Sequence, residues 1–173
     1  DIHQALTFGD LARVTVLDLD TRKLEALDNE YRGRVVTLMS NPANIEHEVA
    51  DADLLIGAVL IPAAKAPIVV TEKMVARMRP GSVICDIAID QGGCVATSHE
   101  TSHRDPVFEK HGVIHYAVGN MPGAVPHTST YALTNVTLPY LAELASRGVR
   151  AAADADPALA LGVNALGGHV VNE

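Results

Sequence analysis

The chain has 173 residues, 48% hydrophobic and 20% charged, the balance of a globular protein with room for one domain or one domain plus part of another. Its net charge of -8 argues against nucleic acid or an anionic membrane as the main partner, and no apolar run reaches bilayer length. Aromatics are only 3% with no Trp, so the core must be aliphatic.

Residues 1–8 read as the tail of a helix closed by Gly9, and no secretory signal opens the chain. Arg13 to Asp18 is a strand that ends in an acid. Leu24, Leu27 and Tyr31 follow at helical spacing, and Gly33 stops that helix. Val35 to Met39 is the next strand. Ser40 or Asn41 caps a helix with Pro42 in its first turn, and Ile45 and Val49 form its buried face. Asp53 to Ile61 is a long apolar run, hence a central strand. A loop from Pro62 to Pro67 leads to a helix from about Thr71 that turns Met74, Val75 and Met78 inward.

Pro80-Gly81 then opens the most informative stretch, Ser82 to Gly93. Val83, Ile84, Ile87 and Ile89 predict a buried strand, yet it runs into Asp90-Gln91-Gly92-Gly93. In a parallel α/β sheet, ligands sit outside the carboxyl ends of the strands. A carboxylate delivered there, followed by glycines that permit close backbone approach, marks a reaction site. Cys85 and Cys94 read as reduced packing residues of a cytoplasmic protein. Residues 94–112 are polar and predict a loop, and Val113 to Val118 a last strand before a sharp turn at 119–123. Thr128 to Arg147 is a long helix, kinked or broken at Pro139 and closed by Gly148. Residues 150–173 predict a helix with a loose tail. The domain reading is 1–127 for the α/β part and 128–173 for the C-terminal helices.

Strands that alternate with helices imply parallel pairing and a doubly wound sheet of Rossmann type. Such a fold normally opens with a strand and a Gly-x-Gly-x-x-Gly loop, and this sequence holds no such loop. The strand ending in Asp18 matches the second strand of that fold, whose acid accepts the ribose hydroxyls of a dinucleotide. The first strand would lie mid-sheet, so the expectation is a larger protein of which this chain is a part.

The segments Asp53 to Pro62, Lys65-Ala-Pro67, Arg79 to Ser82, Asp86 to Cys94, Asn120-Met-Pro122 and Thr128 to Asn135 resemble the alanine dehydrogenase family. The resemblance implies NAD-dependent oxidative deamination of L-alanine to pyruvate and ammonium by a homohexamer, with this chain as the cofactor-binding part. It makes Asp90 the catalytic aspartate and Asp18, Lys23 and Ser40 adenosine-side contacts. Val59, Leu60, Ile87, Ala88, Ile89, Asp90, Val118, Gly119, Asn120 and Met121 then line the cofactor. Gly119 and Ala63 depart from the residues common in the family. His99 stands where some members carry an Arg. The family's acid/base His and its substrate-holding Arg and Lys belong to an N-terminal domain that this sequence lacks.

His99-Glu-Thr-Ser-His103 matches the His-Glu-x-x-His pattern of zinc proteases. That chemistry needs a helix to put both imidazoles on one face. The polar surroundings here predict a loop instead, and no metal is expected. Two other readings compete: the NAD-binding part of a proton-translocating transhydrogenase, disfavoured by Ile89-Asp-Gln-Gly-Gly93, and an inactive fragment that only assembles with partner chains.

Overall fold

The branched residues of Val14–Asp18 form β1, which pairs in parallel with β2 (Val35–Met39) through the register Val14 to Val35. Between them α1 (Thr21–Tyr31) is capped by Asp20, whose carboxylate accepts the Arg22 amide, and stopped by Arg32 and Gly33 in left-handed backbone. α2 (Pro42–Asp51) starts as the Asn41-Pro42 pair predicts, with the Asn41 side chain accepting the Asn44 amide at 2.9 Å. The computed structural model describes residues 12–61 and 64–171. The expected helix tail at 1–9 lies outside them.

A second sheet has the order β3-β4-β6-β5, built from β3 (Leu54–Gly57), β4 (Val83–Asp86), β5 (Val107–Lys110) and β6 (Val113–Tyr116). β3, β4 and β6 run parallel; β5 is antiparallel to β6. The strand expected over Asp53 to Ile61 is shorter, four residues long, and lies at an edge with Leu54 and Ile56 exposed. Among the described residues β1 pairs only with β2, and β3 only with β4. Among the described residues these strands therefore form two separate sheets.

The expected loop over 94–112 contains β5. Its connection to β6 is a two-residue turn, His111 and Gly112, both at positive φ. That is the twist a tight antiparallel hairpin requires. The helix expected from Thr71 is one turn long, α3 (Glu72–Val75), capped by Thr71. Val49 of α2, Val75 of α3, Ile84 of β4 and Val113 of β6 meet Met78 and Val95 in the core. This sheet, not the β1–β2 pair, holds the packed centre: no residue of β1 is fully buried.

The chain divides into two compact units, up to Met121 and from Pro122 on. The second carries α4 (Pro126–Arg147), which runs through Pro139 without the expected break. α4 buries none of its residues and exposes Tyr131, Leu133, Val136, Leu138 and Leu141. After Gly148 the expected single helix with a tail is two short helices, α5 (Val149–Ala155) and α6 (Pro157–Leu161), and a hairpin of β7 (Ala165–Leu166) and β8 (His169–Val170). Asp156 interrupts the helix by capping α6 through the Ala158 amide.

Candidate functional site

β4 does not continue to Asp90. It ends at Asp86, and residues Ile87–Gln91 form a 3-10 turn that carries Asp90 beyond the strand. The cause is a side chain the sequence reading passed over. Asp86 is 0% exposed, and one of its carboxylate oxygens accepts the amides of Cys94 at 3.0 Å and Val95 at 3.1 Å. The other accepts the Cys94 thiol at 3.5 Å. A buried carboxylate needs such donors. Supplying them folds the chain back under the end of β4, and apolar periodicity cannot anticipate that return. An acid at an inward position of an otherwise aliphatic strand was the available signal.

The return passes through Gly92 and Gly93, at φ 93° and 77°. A Cβ on Gly93 would lie 2.9 Å from an Asp86 oxygen, so the cradle admits only glycine. The segment 66–70 braces it from below, through the Ala66 amide on the Gln91 carbonyl and the Val69 amide on the Cys94 carbonyl. In the turn itself Ala88 and Ile89 are buried while Ile87 and Asp90 face outward.

At the end of β6, Val118 is buried and Asn120 adopts left-handed backbone at φ 53°. The Asn120 amide donates to Asp90 Oδ1 at 3.1 Å. Among the described residues Oδ2 of Asp90 and the Asn120 side-chain amide make no hydrogen bond. One carboxylate oxygen is thus anchored and the other is open.

The remaining sequence-predicted residues fall into two places. Asp18, Lys23 and Ser40 meet at the carboxyl end of β1: Asp18 Oδ1 accepts the Asp20 amide at 2.8 Å, and Lys23 Nζ stands 4.0 Å from Oδ2. The Ser40 amide donates to the Asp18 carbonyl at 2.9 Å. Val59 follows β3 and packs on the core, while Leu60 is exposed. Gly119 and Met121 flank Asn120. No hydrogen bond joins the Asp18 group to the Asp90 group among the described residues.

His99 to His103 is not helical. The His99 ring stacks on Phe108 at 3.8 Å, and Phe108 stacks on His115 at 4.7 Å. No three metal-ligating side chains converge among the described residues. His115 is 0% exposed, donates from Nδ1 to the Val113 carbonyl at 2.9 Å and pairs through Nε2 with Thr97 at 2.7 Å. A carbonyl only accepts, so Nδ1 holds the proton and Nε2 takes the Thr97 hydroxyl. Burial pushes the His115 pKa down.

Comparison with known proteins agrees with this architecture. Residues 2–173 match the family described as "Alanine dehydrogenase/PNT, C-terminal domain". The chain is 58% identical to the alanine dehydrogenase of Staphylococcus haemolyticus over 97% of its own length and 45% of that protein. It is 58% identical to that of Bacillus subtilis over 94% of its length and 43% of that protein. It therefore spans less than half the length of these curated relatives. A solved L-alanine dehydrogenase superposes with a TM-score of 0.88 at 50% identity, covering 99% of this chain and 46% of that one. A transhydrogenase from Sinorhizobium meliloti, at TM-score 0.53 and 24% identity, shares the fold alone. The fold is of Rossmann type, and the chain belongs to the alanine dehydrogenase/PNT C-terminal domain family.

Proposed function

We propose that this chain is the NAD-binding part of an enzyme that converts L-alanine, NAD and water to pyruvate, ammonium, NADH and a proton. The observation that carries this reading is Asp90: a carboxylate at the sheet's carboxyl edge, tethered through one oxygen to Asn120 and open at the other. The residues present suit a dinucleotide. Asp18 ends a parallel strand with spare acceptor capacity for ribose hydroxyls, which its charge also makes inhospitable to a 2′-phosphate. Asn120 has an uncommitted amide that both donates and accepts, suited to a ribose or carboxamide. Met121 offers a polarizable apolar surface. Lys23 and Ser40 complete the adenosine side, and Val59, Leu60, Ile87 to Ile89, Val118 and Gly119 the cofactor lining.

A bound nicotinamide supplies the hydride acceptor. Loss of hydride leaves the substrate α-carbon as an iminium, which water must attack. Asp90 does two things in that step: its charge stabilises the developing cation, and its free oxygen accepts a hydrogen bond from the attacking water and orients it. The acid/base and carboxylate-holding groups of this reaction come from outside this chain. A cytoplasmic homohexamer is the assembly we propose for the whole enzyme. Identity near 58% to alanine dehydrogenases, against 24% to the transhydrogenase, favours amino-acid oxidation over transhydrogenation.

In the complete gene product, Asp90→Asn lowers kcat by about 10²-fold or more with NAD binding retained, as loss of a positioned charge requires. A normal kcat with only a raised KM would remove Asp90 from the chemistry.

A further inference from the structure

The His-Glu-x-x-His segment has a different use. It runs alongside the end of β6 as a strap. The Thr101 amide donates to the Ala117 carbonyl at 2.9 Å, and the Gly119 amide returns to the Thr101 carbonyl at 3.3 Å. The Glu100 carboxylate fills the space a Cβ on Gly119 would occupy. His103 Nε2 reaches the Asn120 carbonyl at 3.2 Å. A carbonyl oxygen only accepts, so this contact fixes the His103 tautomer with the proton on Nε2. The strap is itself pinned. Thr101 Oγ1 donates to the Pro106 carbonyl at 3.0 Å, and the Asp105 amide donates to the Ser102 carbonyl at 3.1 Å.

Asn120 is thus held at both ends. Its carbonyl is taken by His103, and its amide is given to Asp90 Oδ1. It needs holding, because φ of 53° is uncommon for a residue with a side chain, though Asn tolerates it better than most. The amide of Asn120 aims at Asp90 only while that conformation persists. We propose that His103 is a positioning residue for Asp90, acting through the Asn120 backbone to fix which oxygen of the Asp90 carboxylate stays open. The proposal rests on the alanine-oxidising reading for its kinetic consequence, but not for the geometry.

Two variants in the complete gene product test it. His103→Leu keeps bulk and removes the donor, while His103→Gln restores an N–H of similar reach. His103→Leu lowers kcat for alanine oxidation about tenfold while KM for NAD and alanine stays within about twofold, the pattern of a misplaced catalytic group. His103→Gln recovers most of that loss. In parallel, hydrogen exchange of the 117–121 peptide is read by mass spectrometry on parent and variants. His103→Leu speeds exchange there about tenfold or more, with no change in the core peptide 83–86. Equal kcat in parent and His103→Leu, equal loss in both variants, or unchanged exchange at 117–121 each overturns the proposal. A parent that forms no NADH from alanine sinks the functional reading instead, because the exchange measurement still reports whether His103 holds Asn120.

Discussion

Asp18 and Asp86 both end parallel strands, and their surroundings make them different groups. Asp18 closes β1, a strand without a fully buried residue, and its side chain is 36% exposed beside a still more exposed Lys23. Asp86 closes β4 in the packed sheet and is sealed, with both oxygens committed to Cys94 and Val95. The first has capacity left for a ligand, whereas the second spends all of its capacity on the chain itself. A strand-ending acid is therefore not a binding residue by position alone; what matters is how many of its lone pairs the fold has already claimed.

That contrast predicts opposite phenotypes. Asp86→Ala strands two buried backbone donors at roughly 1–3 kcal/mol each, so it lowers unfolding free energy by about 3 kcal/mol or more in urea titrations. Asp86→Asn keeps one acceptor oxygen for both amides and costs less than half as much. Equal losses in the two variants would mean that charge, not acceptance, is what the cradle needs. At the other strand end, Asp18→Asn raises KM for NAD about tenfold, some 1.4 kcal/mol, and leaves the urea midpoint unchanged. A lowered midpoint would make Asp18 structural like its counterpart.

The smallest effect is on pH dependence, and two buried groups of the packed sheet illustrate it. His115 has its pKa lowered by burial, so its stabilising contribution is complete above its ordinary 6.5 and declines as pH falls below that. Cys94, pushed up to about 12 by burial and then by Asp86, contributes fully below the ordinary 9.0 and loses that contribution as pH climbs from there. Melting temperature should be flat between those limits. Cys94→Ala should blunt the alkaline decline specifically.

The sequence was easiest to read where local signals decide structure. Asn41-Pro42 before a periodic helix gave α2, and Gly33 after Tyr31 gave the end of α1, because caps act within a few residues. Of the candidate site, the sequence singled out Asp90 and Asn120, 30 residues apart, and these two do share a hydrogen bond. What escaped was long-range. β4 stops three residues before the apolar pattern does, since Asp86 reaches forward to residues eight and nine positions away. β5 was hidden by its polar outer face, although Gly112 after His111 is a hairpin signal that could have revealed it. The role of His103 was masked by a motif whose chemistry needs a helix the segment does not form.

The sealed cradle under β4 has a consequence for durability. A sulfur that keeps its proton at cellular pH is a poor target for peroxide, since oxidation proceeds through the thiolate. By lodging Cys94 against a carboxylate, the fold shields from oxidative damage the return loop that anchors the turn carrying Asp90.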